Sequence, residues 1–279
     1  MENTLTQIRC MYDTFGRGER KIADWILENP SELIGLSISE LAAACGCGDA
    51  TVVRFSKRLG LSGYQALKIS IAQELGSNPT GSLAFSQEDS VMEIYAKHIA
   101  DINLTLEKTK SALDSDALKA AAEALLKARS ISILGLGSSS PVAMDAMHKL
   151  LRAGLPACSY SDNHMQMIVT SHLGPEDVVL AISHSGSSVD IVKALEQAQQ
   201  NGATTISITN HGRSPIVKYS DHCLYTNADE TKYTILAMTS RIAQLAIIDT
   251  LYTYIVLNGG SQITDAIQNT ESALESKKY

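Results

Sequence analysis

No run of apolar residues in this 279-residue chain approaches the ~18 needed to cross a membrane, and no basic segment leading into an apolar one opens it. A cytoplasmic address with no membrane partner is therefore expected. A basic excess is missing too. The formal charge of −7 excludes a uniformly basic coat for nucleic acid, though it leaves room for one local basic patch. The five cysteines (Cys10, Cys45, Cys47, Cys158, Cys223) are odd in number and scattered, so they read as reduced thiols. Cys45 and Cys47 sit one residue too close for a zinc hairpin, and no second Cys or His pair lies nearby. Neither a metal nor a cofactor is expected. The Gly-Lys-Ser/Thr of a nucleotide P-loop is absent. Gly135-Leu136-Gly137 continues as Ser138, Ser139 and Ser140, without the third glycine of a dinucleotide fingerprint.

What is present suffices for about two domains. Hydrophobic residues make up 44% of the chain and charged residues 19%, ordinary values for a globular protein. Residues 1–76 read as short helices. Ile22, Trp25 and Ile26 share a helical face, and Pro30 ends that helix. A second helix starts at Ser39 and breaks at Cys45-Gly46-Cys47-Gly48. A third follows from Asp49, with Val52, Phe55 and Leu59 on its buried side. A composition shift at Gly76 to Ser82 marks the natural linker, taken as residues 77–89. Two alanine-rich helices are expected over residues 90–129. From Ser130 onward apolar strands and helical segments alternate, with strands at Ile131 to Leu136, Pro156 to Tyr160, Val178 to Ile182, Thr204 to Thr209 and His222 to Tyr225. That alternation predicts a parallel α/β sheet over residues 130–257. Residues 258–279 read as a polar, frayed tail.

Two loops carry chemistry. Asp177 to Ile182 is an apolar strand that runs into Ser183-His184-Ser185-Gly186-Ser187-Ser188 and then into a helix. First-turn N–H groups lack intrahelical acceptors and lie at the positive end of the macrodipole, so an anion docks there; serine hydroxyls add short donors. The second loop, Gly135 to Pro141, follows the first strand, and ligands of open α/β sheets gather at the carboxyl ends of strands. Upstream, residues 39–60 have the order of a helix-turn-helix. Thr51 and Arg54 are placed to reach base edges, while Lys57, Arg58 and Lys68 are placed to hold phosphates. With Ser56, they make up the expected DNA-contact set.

These residues carry a resemblance. Residues 130–257 resemble a sugar isomerase (SIS) domain, whose hallmark Ser-x-Ser-Gly-x-Ser/Thr is matched by Ser183 to Ser188. The resemblance implies a five-stranded doubly wound sheet, with a phosphosugar held by Ser183, Ser185, Ser187, Ser188, Ser138 and Ser139. It also implies a sugar-facing Glu230. Glu19 to Asp24, Leu36 to Ala42, Ala50 to Phe55 and Leu59 to Tyr64 resemble the all-helical N-terminal domain of RpiR-type bacterial transcriptional regulators, which join it to an SIS sensor in this order. One departure stands at Cys47-Gly48, where that family commonly has Val-Ser. The expected protein is a homodimer or tetramer that binds operator DNA and responds to a phosphosugar effector, with no catalytic residue. The alternative is a phosphosugar isomerase, which needs a carboxylate base such as Glu230.

Overall fold

The computed structural model describes residues 4–75, 85–228 and 238–275. The expected linker from Gly76 to Ser82 and the expected sugar-facing Glu230 lie outside the described residues. The chain divides into two compact units, the first chiefly residues up to Thr105 and the second chiefly from Leu106 onward.

The first unit is helical: α1 (Thr4–Met11), α2 (Arg17–Glu28), α3 (Ile38–Ala44), α4 (Asp49–Arg58), α5 (Tyr64–Leu75) and most of α6 (Val91–Ala112). Ser37 starts α3 with a capping box. Its hydroxyl accepts the Glu40 N–H, and the Glu40 carboxylate accepts the Ser37 N–H in return. The core gathers Ile22 and Ile26 of α2, Leu41 of α3, Val52 and Phe55 of α4, and Leu67 and Ile71 of α5, all fully buried. Phe55 stacks at a tilt on Phe15, with centroids 5.1 Å apart. Fully burying a ring of that size contributes about 1.5–3 kcal/mol.

The second unit holds α7 (Ser115–Lys127), β1 (Ser130–Gly135), α8 (Ser140–Arg152), β2 (Ala157–Tyr160), α9 (Asn163–Thr170), β3 (Asp177–Ile182), α10 (Val189–Gln200), β4 (Thr204–Asn210), β5 (His222–Thr226), α11 (Met238–Asn258) and α12 (Gly260–Glu275). The five strands form one all-parallel sheet in the order β2-β1-β3-β4-β5. Ile131, Ile133, Val178, Leu180, Ile206 and Leu224 face α7, α8 and α11 in one core. Leu134, Val179 and Ala181 face α10 and the 3₁₀ turn Pro215–Tyr219 in another. Alternate residues point to opposite faces, so each β3 residue is buried beneath one helical layer or the other.

Two boundaries differ from expectation. The helical connector over residues 90–129 is not a separate piece, because Ala121, Ala122 and Leu125 of α7 are fully buried in the sheet core. Nor is the polar tail frayed. Residues 260–275 form α12, with Ile263 buried, a Cβ on Gly154 directed at Ala266, and Arg152 paired with Glu271. Ile263, Ala266, Ile267 and Thr270 fall at i, i+3, i+4 and i+7, a stripe narrow enough to be hidden by the polar residues around it.

Candidate functional site

β1 and β3 are neighbours, with Gly135 in register with Ile182, yet their following helices lie on opposite faces of the sheet. The crevice between their carboxyl ends is the topological switch point of the sheet. Both serine loops leave from there. Ser183 is 7% exposed and its N–H donates to the Ile208 carbonyl, so the loop starts tied to β4. The Asn210 N–H donates to the His184 carbonyl and the Ile216 N–H to the Gly186 carbonyl, which pins the loop on its β4 side. At φ 58° Gly186 occupies the left-handed region, where a side chain is strained; the turn lets its N–H return to the Ser183 carbonyl at 3.1 Å.

Beyond the buried Ser183 the loop turns outward. Ser185 is exposed and accepts the Ser187 N–H through its Oγ at 3.3 Å, while the Ser187 hydroxyl donates to the Ser185 carbonyl. Ser188 is the N-cap residue of α10 by position, but its hydroxyl makes no capping bond. An unspent hydroxyl and the open first-turn N–H groups of a twelve-residue helix offer the donors that an anion requires. Asp190 in that first turn already offsets part of the helix dipole, so the donors here are hydroxyls and amides more than the dipole.

On the β1 side the loop folds back tightly. A Cβ on Gly135 would lie 2.8 Å from the Ser139 carbonyl oxygen and 3.0 Å from the Ala143 Cβ, so only glycine allows this turn. It delivers the 3₁₀ turn Gly137–Ser139 to the crevice, Ser138 exposed and Ser139 buried, and α8 follows with Pro141 in its first turn. The structure thus gathers Ser138, Ser139, Ser183, Ser185, Ser187 and Ser188 on two adjacent loops. The flank at β5 is closed by Asn210, whose amide exchanges two hydrogen bonds with the Ala228 backbone.

The helix-turn-helix lies in the first unit. Arg54 and Lys57 are exposed on α4, and neither pairs with a carboxylate among the described residues. Thr51 is half-buried, its methyl 3.3 Å from where a Cβ on Gly18 would lie. Three expected contacts differ. Ser56 is fully buried, its hydroxyl donating to the Val52 carbonyl, because position i+4 from Val52 falls on the core face. Arg58 is held by the Glu19 carboxylate at 2.7 Å and the Thr14 carbonyl at 2.7 Å, over the Phe15 ring. Lys68 donates to the Leu36 carbonyl at 3.0 Å. The last two cations thus tie helices together. Sequence reasoning did not single out Lys21. Its Nζ lies 3.6 Å from where a Cβ on Gly46 would be, at the turn leading into α4, and only the fold brings it there. Burial holds the Cys45 thiol up at about 11, with Cys47 adding to the effect, so at neutral pH that turn sets no thiolate against a phosphate.

Comparison with known proteins gives a consistent picture. Residues 2–78 match the helix-turn-helix domain of the rpiR family, and residues 124–254 match the SIS domain. An uncharacterised HTH-type transcriptional regulator of Caldanaerobacter subterraneus subsp. tengcongensis is 39% identical over 281 residues, covering 100% of this chain and 99% of that one. The HTH-type transcriptional regulator HexR of Pseudomonas aeruginosa is 34% identical over 280 residues, covering 100% and 98%. Among solved structures, the Vibrio vulnificus NanR protein complexed with ManNAc-6P superposes with a TM-score of 0.81 at 25% identity, covering 99% of this chain and 100% of that one.

Proposed function

This chain belongs to the rpiR family of helix-turn-helix transcriptional regulators that carry an SIS domain, and from that premise we propose that it senses a phosphosugar and changes its hold on operator DNA in response. The carrying observation is the pair of serine loops at the switch point, with an open helix N-terminus and no lysine or arginine within either loop. A phosphate docks on the amides and hydroxyls of Ser183 to Ser188, and Ser138 and Ser139 approach from the β1 side. That NanR is complexed with ManNAc-6P supports a phosphorylated sugar as the ligand class. The regulators among the relatives favour sensing over isomerisation.

On the output side, Arg54 and Lys57 of α4, with Lys21 beside the preceding turn, meet the DNA. Arg54 reads a base edge and the two lysines hold phosphates. Two reading heads one helical turn apart on an operator call for a two-fold oligomer.

Thermal-shift titration with a panel of hexose 6-phosphates tests the input. A ligand at one hundred times its Kd stabilises the native state by about 2.7 kcal/mol. We expect one member of the panel to raise Tm in the wild type and none to do so in Ser183→Ala/Ser185→Ala. Equal shifts in both proteins would refute the cradle assignment, and no shift in the wild type across the panel would refute phosphosugar sensing.

A further inference from the structure

Among the described residues, two polar side chains on α11 have no hydrogen-bond partner. Ser240 is 2% exposed and Gln244 is 1% exposed, and neither the Ser240 hydroxyl nor either end of the Gln244 amide makes a hydrogen bond. A primary amide shut away from water with its donor and acceptor both unspent is costly, and such groups in folded proteins call for an explanation. Leucine at position 244 would suit an ordinary core better.

Their direction follows from the helix. Ser240, Gln244, Ile247, Ile248, Leu251 and Ile255 fall on one helical stripe, and the last four pack in the core on the sheet. Ser240 and Gln244 therefore face the sheet as well. Two contacts place α11 laterally. The Asp249 carboxylate pairs with Lys149 of α8 at 2.9 Å, and the Tyr254 hydroxyl reaches Glu123 of α7 at 3.3 Å. Since α7 packs by β5 while α8 packs by β1 and β2, α11 lies between them over the central strands.

The same contacts fix its direction along the strands. Lys149 lies in the last turn of α8, which ends before β2 begins, and Glu123 lies near the end of α7, which leads into β1. Asp249 and Tyr254 thus sit toward the amino edge of the sheet. From Asp249 back to Ser240 is nine residues, about 13 Å of helix, toward the carboxyl edge. The two unpartnered groups overlie the end of the sheet where β1 and β3 emit the serine loops.

We propose that Gln244 and Ser240 form the sugar-reading wall of the effector site, the Gln244 amide bridging two adjacent polar groups of the sugar while the serine loops hold its phosphate. This rests on the phosphosugar reading above and assigns it a specificity-determining pair. A primary amide donates and accepts side by side, so it matches a vicinal diol, or a hydroxyl beside an acylamino group. The phosphate end is sequence-distant from it, so the two halves of the ligand are read by separable groups. A ligand lacking the matched hydroxyl leaves the amide buried and unpaired, which makes the site reject it.

The test measures affinity by calorimetry on the full chain, with the wild type, Gln244→Leu and Ser240→Ala, using as probes the hexose 6-phosphate that stabilises the wild type and inorganic phosphate. Gln244→Leu should weaken the hexose phosphate by about tenfold or more, and Ser240→Ala by about threefold, as befits lost hydrogen bonds to a ligand. Inorganic phosphate should bind all three proteins alike. Ligand-free Gln244→Leu should unfold at or above the wild-type temperature, because an unpaired amide has been replaced by an apolar group of similar size. Wild-type affinity of Gln244→Leu for the hexose phosphate overturns the proposal, as does a ligand-free loss of stability, which would make Gln244 structural. Loss of both probes together in Gln244→Leu also overturns it, since sugar and phosphate would then not be read separately. If no hexose phosphate binds the wild type, the parent reading fails first and this one with it.

Discussion

Asp177 opens β3 at the edge of the sheet remote from the serine loops, and its carboxylate is fully buried. It accepts from Arg129 at 2.6 and 3.0 Å, from the Ser130 hydroxyl at 2.8 Å and from the Gly174 N–H at 2.9 Å. The Arg129 hydrogen bonds, with help from Ser130 and Gly174, bring its pKa down to about 2. An unfolded aspartate titrates near 3.9, so the folded state holds its proton less readily than the unfolded chain. The resulting stability is complete above about pH 5 and is lost as pH falls toward 2. Asp177→Asn should therefore cost about 1–3 kcal/mol at neutral pH, and urea midpoints should show the gap to wild type closing between pH 5 and pH 2. A gap that stayed constant over that range would mean that the cost does not come from the ionised carboxylate. At this scale the sequence is a partial guide. The serine loop was legible because its hydroxyls are adjacent in sequence. Arg58 and Lys68 were expected only as phosphate contacts, since their partners Glu19 and Leu36 are reached only in the fold. Gln244 gave no signal, because one polar residue in an apolar helix looks like noise until its burial and lack of partners are known.

Among the elements, α4 carries the proposed DNA-facing surface. Its core side is filled by Val52, Phe55 and Ser56, which leaves Arg54 and Lys57 as its outward cations with no partner among the described residues. Lys57→Ala should weaken operator binding about equally across sequences and lower the slope of log K against log salt by about one, as expected for one lost phosphate contact. Arg54→Ala should instead cost about 1–3 kcal/mol on the operator and relax discrimination at one base position. Anisotropy titrations at several salt concentrations separate the two. Identical effects on operator and random duplex for both variants would remove Arg54 from base reading. All five strands and the helix-turn-helix were legible because β-branched runs between glycine-bearing turns, and a capped helix followed by a basic amphipathic one, are local patterns. The last helix, α12, was not. Its stability comes from packing through Ile263, buried in the sheet core, and Ala266, set against Gly154, while its composition is largely polar.

In the whole molecule, the serine cradle belongs to the second unit and α4 to the first, so sensing requires that effector binding and operator binding share a coupling free energy. Such couplings typically amount to 1–3 kcal/mol, which is about 5–150-fold in affinity, and they are reciprocal. Sugar phosphate cannot alter operator affinity without operator altering sugar affinity by the same factor. The sequence suggested both functions because each rests on its own motif, but a coupling has no motif. The most direct measurement is a closed thermodynamic cycle on the full chain: operator affinity by anisotropy with and without the hexose 6-phosphate that stabilises the protein, and affinity for that phosphosugar by calorimetry with and without operator. The expected result is a change of at least about fivefold in both legs, equal within error. Operator affinity that stays the same at saturating effector would mean that this protein binds a phosphosugar and DNA without connecting them.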